Sequence, residues 1–315
     1  MIDKGNIEIK GKKISNFWLN TFQLIFGTVL SQLIPVILQP LLRRWFTPEE
    51  FGVMAVYFSI VSILCVIVNL NYQNAVVLPE EDEDGMALVV GSIGLSAVNS
   101  IIVGLLFLLF GDLLFQKFDL HGSFKIWIWF LPFSIFLNSC HLIFTNWLVR
   151  KKQFKMISVN KVSRRAAEGT AQVGTGVAKL GWGLNGGVIF GDTVNYVTYI
   201  VQYFRSGGRF SKDIWRRIPA VFRRYKEFPL ISLIPNSLST VSMYLPVIMV
   251  STLFSAEITG QLDLSRQILA LPLALIAASI SQVILQEFTE KLHKGVAVLR
   301  RFYQLLFLLT GVSVL

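Results

Sequence analysis

Apolar runs of about 20 residues, the length of helix that crosses a hydrocarbon core of about 30 Å, alternate along this chain with short polar connections. They fall at residues 17–42, 51–70, 86–110, 126–149, 156–178, 182–204, 228–254 and 257–285, and a ninth begins near Phe302 and is too short at Leu315 to span. The pattern predicts an all-α polytopic membrane protein. Connections are short except for 207–228. There Ile214, Ile218, Val221, Phe222 and Tyr225 share a helical face ringed by Arg216, Arg217, Arg223 and Arg224. This predicts an amphipathic helix lying on anionic lipid and broken at Pro219, although a plain basic loop fits the same residues.

A second regularity lies between the runs. Phe46-Thr47-Pro48-Glu49-Glu50-Phe51-Gly52 returns 208 positions later as Phe254-Ser255-Ala256-Glu257-Ile258-Thr259-Gly260, each copy closing one apolar run and opening the next. In the first copy Thr47 is placed to cap a helix, Pro48 to occupy its first turn and Glu50 to complete a capping box; Ser255 caps the second more simply. An internal repeat of this length predicts two six-helix lobes related by pseudo-two-fold symmetry. The organisation expected is an N-terminal lobe at 1–206, a linker at 207–228 and a partial C-terminal lobe at 229–315, incomplete because two such halves run past roughly 400 residues.

Composition agrees with the membrane reading: 53% of residues are hydrophobic, 15% are charged and the mean hydropathy is +0.59. A net charge of +10 would point a soluble protein toward nucleic acid, but here the basic residues follow a topology rule, so no nucleic-acid partner is expected. Most Lys and Arg residues gather before Phe17, at 150–155, at 205–226 and at 291–301. The opposite side holds Arg43, Arg44, Lys117, Lys125 and Lys179. The N-terminus is therefore expected in the cytoplasm, with the first run an uncleaved anchor. The acidic stretch 80–84 falls on the same side, which the rule tolerates. The largest external loop, 111–125, reads as a turn against the membrane.

Cys65 and Cys140 lie within spans and read as small buried hydrophobes. His121, His141 and His293 are scattered, and no metal, nucleotide or nucleophile motif is present, so neither metal nor cofactor nor enzymatic activity is expected.

Ionisable side chains inside spans are costly and mark candidate sites. In the fifth run Lys161, Arg164, Arg165 and Glu168 follow i, i+3, i+4, i+7 spacing and share one helical face. At 1.5 Å per residue the two arginines lie about 12 Å into the membrane. Either they face a water-filled cavity, or they snorkel to the headgroups and an Arg164–Glu168 pair neutralises itself. The eighth run carries Asp263 and Arg266 near the opposite side, so that the cations form a ladder across the bilayer. Asp192, in the sixth run, has no evident local partner; with Asp263 and Glu168 it is a candidate for ion coupling, or it hydrogen-bonds a neighbouring helix. A stripe of Asn16, Asn20, Gln23, Gly27 and Ser31 in the first run, and Asn236, Ser239 and Thr240 in the seventh, suits close helix packing. Pro35, Pro40, Pro235 and Pro246 offer bends.

The stretch Leu42-Arg43-Arg44-Trp45-Phe46-Thr47-Pro48-Glu49-Glu50-Phe51-Gly52, then Ser59-Ile60-Val61-Ser62-Ile63-Leu64 and Ala75-Val76-Val77-Leu78-Pro79 with its acidic tail, resembles the polysaccharide-biosynthesis flippases of the multidrug/oligosaccharidyl-lipid/polysaccharide exporter superfamily. The second-half pattern from Gly260 through Arg266 to Pro272 is similar to the corresponding helix there. The resemblance implies alternating access that moves undecaprenyl-diphosphate-linked oligosaccharides to the outer leaflet of the bacterial inner membrane for O-antigen or other surface polysaccharide. Implied partners are the lipid-linked oligosaccharide, membrane lipid, a polysaccharide polymerase and a chain-length regulator. Arginine forks suit diphosphate oxygens, so Lys161, Arg164, Arg165 and Arg266 are the expected headgroup contacts, with Asn20 and Gln23 beside them and Arg43 and Arg44 at the exit. A cation-coupled drug exporter of the same fold is the alternative. It would favour an acidic cavity, whereas arginine exceeds carboxylate in the fifth run. A membrane polymerase is a further alternative, for which a large external loop or an intramembrane catalytic set would be expected.

Overall fold

The computed structural model describes the backbone of residues 4–118 and 124–269, and side chains over 23–111 and 126–269. The helices are α1 (Lys4–Leu42), α2 (Pro48–Val68), α3 (Asp82–Phe118), α4 (Phe124–Trp127), α5 (Leu131–Arg150), α6 (Phe154–Val177), α7 (Gly183–Arg205), α8 (Lys212–Arg224), α9 (Leu233–Leu253) and α10 (residues 256–269). No strand occurs among the described residues. The end of the eighth run and the ninth run lie outside them. The chain divides into Met1–Gln267 and Ile268–Leu315, and the architecture that follows is that of the first unit.

Five segments are long and apolar enough to span: Gln23–Leu42, Pro48–Val68, Asp82–Gly111, Ile128–Arg150 and Phe228–Leu253. The fold is therefore that of an all-α polytopic membrane protein. α6 and α7 have the length without the apolarity, because α6 carries five ionisable residues and α7 carries Asp192, Asn195 and Gln202. They pack on each other, and α6 also packs on α1.

Local chemistry sets the helix ends. Thr47 accepts from the Glu50 backbone N–H at 3.3 Å, and the Glu50 carboxylate accepts from the Thr47 N–H at 2.7 Å, so the capping box forms with Pro48 in the first turn. Ser255 accepts from the Ile258 N–H at 3.2 Å and launches α10. Three helices depart from the expected bounds. α1 starts at Lys4, well before residue 17, and α3 continues through Phe118 into the segment expected as a turn. α5 is preceded by a 3-10 turn, Ile128–Phe130, where Pro132 falls in its first turn.

The two repeat copies meet. At Gly52 a side chain would run into the carbonyl of Ala256; at Gly260 it would run into that of Pro48. Under the shift of the repeat, Pro48 corresponds to Ala256 and Gly52 to Gly260, so the contact is reciprocal. Two first turns can cross backbone to backbone only because both crossing points lack a Cβ.

The largest core joins α3, α5, α7 and α8 with the 3-10 turn Tyr72–Val77. It is built on Trp147, Phe144, Tyr199 and Tyr203, with Leu88, Ile143 and Ile157 filling between the rings. Ring centroids of Trp147 and Tyr203 lie 5.2 Å apart, and Phe144 stacks on Tyr199 at 6.0 Å. Cys65 and Cys140 are free and buried. A second core joins α2 and α5 through Tyr57, Val61, Leu131 and Ile135, and includes Val247 of α9.

α8 corrects two expectations. It is helical throughout despite Pro219, and its apolar face packs on α3 rather than on lipid: Ile214 and Val221 are buried, and Phe222 and Ile218 close over Gly91. Phe222 stacks on Tyr72 at 4.2 Å. The acidic stretch explains the docking. Arg217 bridges Glu81, Glu83 and Asp84, while Arg150 and Lys151 hold Asp82 at 3.1 and 2.6 Å. The carboxylates of Glu81 and Asp84 raise the Arg217 pKa above its already high ordinary value, so the clamp keeps its cation.

Candidate functional site

The ionisable face of α6 is shared between its neighbours. Lys161 Nζ donates to Thr28 Oγ1 of α1 at 2.8 Å, and the Arg164 Nε–H donates to the Asp192 carboxylate of α7. Arg165 binds Glu168 one turn along α6 at 2.9 Å. Asp192 therefore has a partner, which the sequence did not reveal, and Glu168 is held by Arg165 rather than by Arg164. The Arg164–Asp192 pair is nearly buried, with 14% and 8% of its side chains exposed. A pair so placed avoids snorkelling because α7 supplies the counter-charge.

Close packing fixes these positions. Gly27 of α1 faces Ser158 of α6 with no room for a Cβ, and Ser158 Oγ donates to the Gln23 carbonyl at 2.7 Å. Gly169 of α6 lies under Leu38, and Gly191 of α7 lies against the backbone at Arg164 and Glu168. Asn160 and Gln202 exchange two amide hydrogen bonds across α6 and α7, at 2.7 and 2.8 Å. The small residues of the first run thus serve packing, and Gln23 takes part through its backbone. The Asn20 side chain lies outside the described residues.

His141 of α5 joins the group, although its spacing from the other histidines pointed nowhere. Its Nδ1 lies 2.9 Å from the Asn195 side-chain amide, and its ring meets Tyr199 edge-on at 5.5 Å. The available signal was an ionisable residue inside an apolar run, the same signal that marked α6.

A second group sits where α1 ends and α10 begins. Arg43 donates to the Gly260 carbonyl at 3.2 Å and to Gln39 Oε1 at 3.1 Å, with its guanidinium 4.4 Å from the Phe51 ring centre. Gln39 donates to Gln267 at 2.9 Å, and Gln267 donates to Asp263 at 2.7 Å. Arg266 donates to the Met243 carbonyl of α9 at 3.0 Å. Arg44 is exposed and joins neither group. Beside the capped start of α2 lies a cavity of about 250 Å³, lined by Thr47, Glu49, Glu50, Trp127 and Asn185. No group of three or more His, Cys, Asp or Glu residues suited to a metal occurs among the described residues.

Apolar helices enclosing a basic polar pair define an integral membrane protein with a charged interior. Residues 41–314 match the family described as polysaccharide biosynthesis protein, and the chain belongs to that family. Neither a curated protein nor a solved structure matches it. Family and fold together assign it a role in polysaccharide synthesis or export at a membrane, in the setting of lipid-linked saccharides.

Proposed function

We propose that the protein is a flippase that carries a diphosphate-linked oligosaccharide on a polyprenyl lipid across the bacterial inner membrane, without catalysing a covalent step. The observation that carries this reading is the cluster of Lys161, Arg164 and Arg165 with His141, held inside the helix packing by α1, α5 and α7. Three cations face the two carboxylates Asp192 and Glu168, and Lys161 is held by a hydroxyl rather than an acid. An incoming diphosphate would complete the neutralisation by exchanging with those carboxylates on the guanidinium forks. The N-terminus lies in the cytoplasm in this reading, because the basic segments gather on that side. A membrane potential negative inside then favours outward movement of an anion by about 2.3 kcal/mol per charge per 100 mV. A polysaccharide polymerase and a chain-length regulator would act on the delivered unit. Asp192, Glu168 and Asp263 are the groups an ion-coupled cycle would use.

The test is to delete the gene, complement it with the complete reading frame, and determine which leaflet holds the lipid-linked sugar. Accumulation on the cytoplasmic leaflet with loss of surface polymer supports the flippase. Normal polymer with raised drug sensitivity would replace it with a drug exporter, and single repeat units at the surface with a polymerase.

A further inference from the structure

Residues 205–228 carry eight basic side chains against two acidic ones, Asp213 and Glu227. The structure divides those cations between two sides of α8. Arg217 and Arg224 turn to the acidic stretch, Arg217 onto Glu81, Glu83 and Asp84 and Arg224 toward Asp84 at 3.8 Å, and so fasten the helix beside α3. Lys212, Arg216 and Arg223, at i, i+4 and i+11, share the face opposite the buried Ile214 and Val221. They are exposed, as is Lys226 just past the end of the helix. Among the described residues no carboxylate pairs with any of these four.

We propose that this outward face of α8, Lys212, Arg216 and Arg223 with Lys226 and Trp215, is a binding surface for the phosphate headgroups of anionic phospholipid. Placement favours lipid over an acidic protein. α7 closes at Arg205 shortly before α8, and only Tyr225, Lys226 and Glu227 separate α8 from the spanning segment that starts at Phe228. The apolar side of α8 is packed over Gly91, in the third turn of the spanning helix α3. The helix is therefore held at the bilayer surface from both ends and from beneath. Aromatic side chains point the same way. Trp215, at the edge of the cationic face, is 57% exposed, and Phe204 and Phe210, with ring centres 5.4 Å apart, are each about half exposed beside the start of α8. Rings of this kind gather at headgroup level, where the apolar body is sheltered and the polar edge stays wet.

The chemistry of the face matches that occupant. A guanidinium fork binds two phosphate oxygens at once, and each ammonium adds a point charge, so Arg216 and Arg223 set the contacts while Lys212 and Lys226 extend the field. Attraction to an anionic surface grows with each basic residue and is confined to about a Debye length, so binding here falls as salt rises. The terminal segments 1–16 and 291–301 are themselves net basic, and like charge disfavours either as a cover for this face. α8 thus uses protein carboxylates on one side and lipid phosphates on another, and its apolar face is left to α3. The inference stands apart from the flippase reading, because neither the two sides of α8 nor their neighbours depend on what the protein carries.

The test places the full-length protein in nanodiscs of mixed phosphatidylcholine and phosphatidylglycerol, with bromine on the acyl chains of one lipid at a time as a quencher of tryptophan fluorescence. The share of quenching that disappears in Trp215→Phe reports the lipid beside Trp215. At low salt brominated phosphatidylglycerol should quench that share about twofold or more beyond brominated phosphatidylcholine at equal mole fraction. The ratio should fall toward one at high salt. Lys212→Gln, Arg216→Gln, Arg223→Gln and Lys226→Gln together should also bring it to one, while Arg217 and Arg224 keep α8 docked. If the fourfold variant fails to insert, the salt series on the unmodified protein decides. Equal quenching by the two lipids, or a preference that survives high salt, overturns the headgroup surface. A Trp215 that neither lipid quenches overturns it too, and would turn the face to water or to an acidic protein instead.

Discussion

α3 and α6 are both long helices, and they are turned inside out with respect to each other. Along the later turns of α3 the large apolar side chains face outward: Ile101, Leu105, Leu108 and Leu109 are each more than half exposed. From Ser92 on its inward face is small and polar, with Ser92, Ser96 and Ser100 buried and Ser96 donating to Asn69 and to the Ser92 carbonyl. α6 buries charge instead, and does so between α1 and α7. In water the first arrangement would aggregate and the second would rarely form. In a bilayer lipid covers α3 at no cost, whereas each ion on α6 needs a partner from another helix.

Five substitutions probe that contrast, from the largest expected effect to the smallest. Asp192→Ala strands Arg164 in the interior and should destabilise the protein by about 3–5 kcal/mol. Thermal unfolding in detergent should show a large fall in Tm, and the double variant Arg164→Ala/Asp192→Ala should recover most of it while remaining unable to export. If the single and double variants unfold alike, the pair is not what holds α6 in place. Gly169→Leu should cost about 1–3 kcal/mol by overpacking, because Leu38 of α1 occupies the space a side chain needs. The same change at Gly94 of α3, which has nothing within 4 Å of a would-be Cβ, should be neutral or slightly stabilising through helix propensity. Equal losses at the two glycines would break the comparison.

Asp82→Asn removes an exposed ion pair with Arg150 and Lys151 and should cost less than about 1 kcal/mol, with the difference shrinking at high salt. A much larger loss would mean that the clamp beneath α8 matters as much as the buried pair. Leu109→Ala, at a position 75% exposed on α3, should stay within about 0.5 kcal/mol. A larger effect there would place a packing partner where lipid is expected.

Much of the α6 site was legible because its spacing alone puts Lys161, Arg164, Arg165 and Glu168 on one face. Its pairing was not. Arg164 has Glu168 at i+4 within reach on its own helix, but α7 lies close enough, through Gly191 and Gly187 against α6, to offer Asp192 instead. A local rule considers one helix at a time, whereas the pair was chosen by a neighbour. The same limit explains α8. Its amphipathic pattern was evident, but the pattern is indifferent to whether lipid or protein covers the apolar face. The match between Arg217 and the Glu81–Asp84 stretch, over 130 positions away, decided for protein. His141 was missed because histidines were weighed against one another rather than against the apolar run that holds it.

What the sequence by itself determined is whatever depends on neighbours a few positions away. This includes the membrane-length helices, the capping box at Thr47, the shared face of α6 and the repeated heptapeptide, since propensity, capping and periodicity act over one or two turns. Only the tertiary structure decided which charge meets which, that Asn195 and Tyr199 bind His141, and that Gly52 and Gly260 cross on each other's partner residues. Those choices depend on how closely two backbones approach. In a bilayer that approach is governed by glycine and by polar groups in need of partners rather than by any hydrophobic preference for one apolar surface over another.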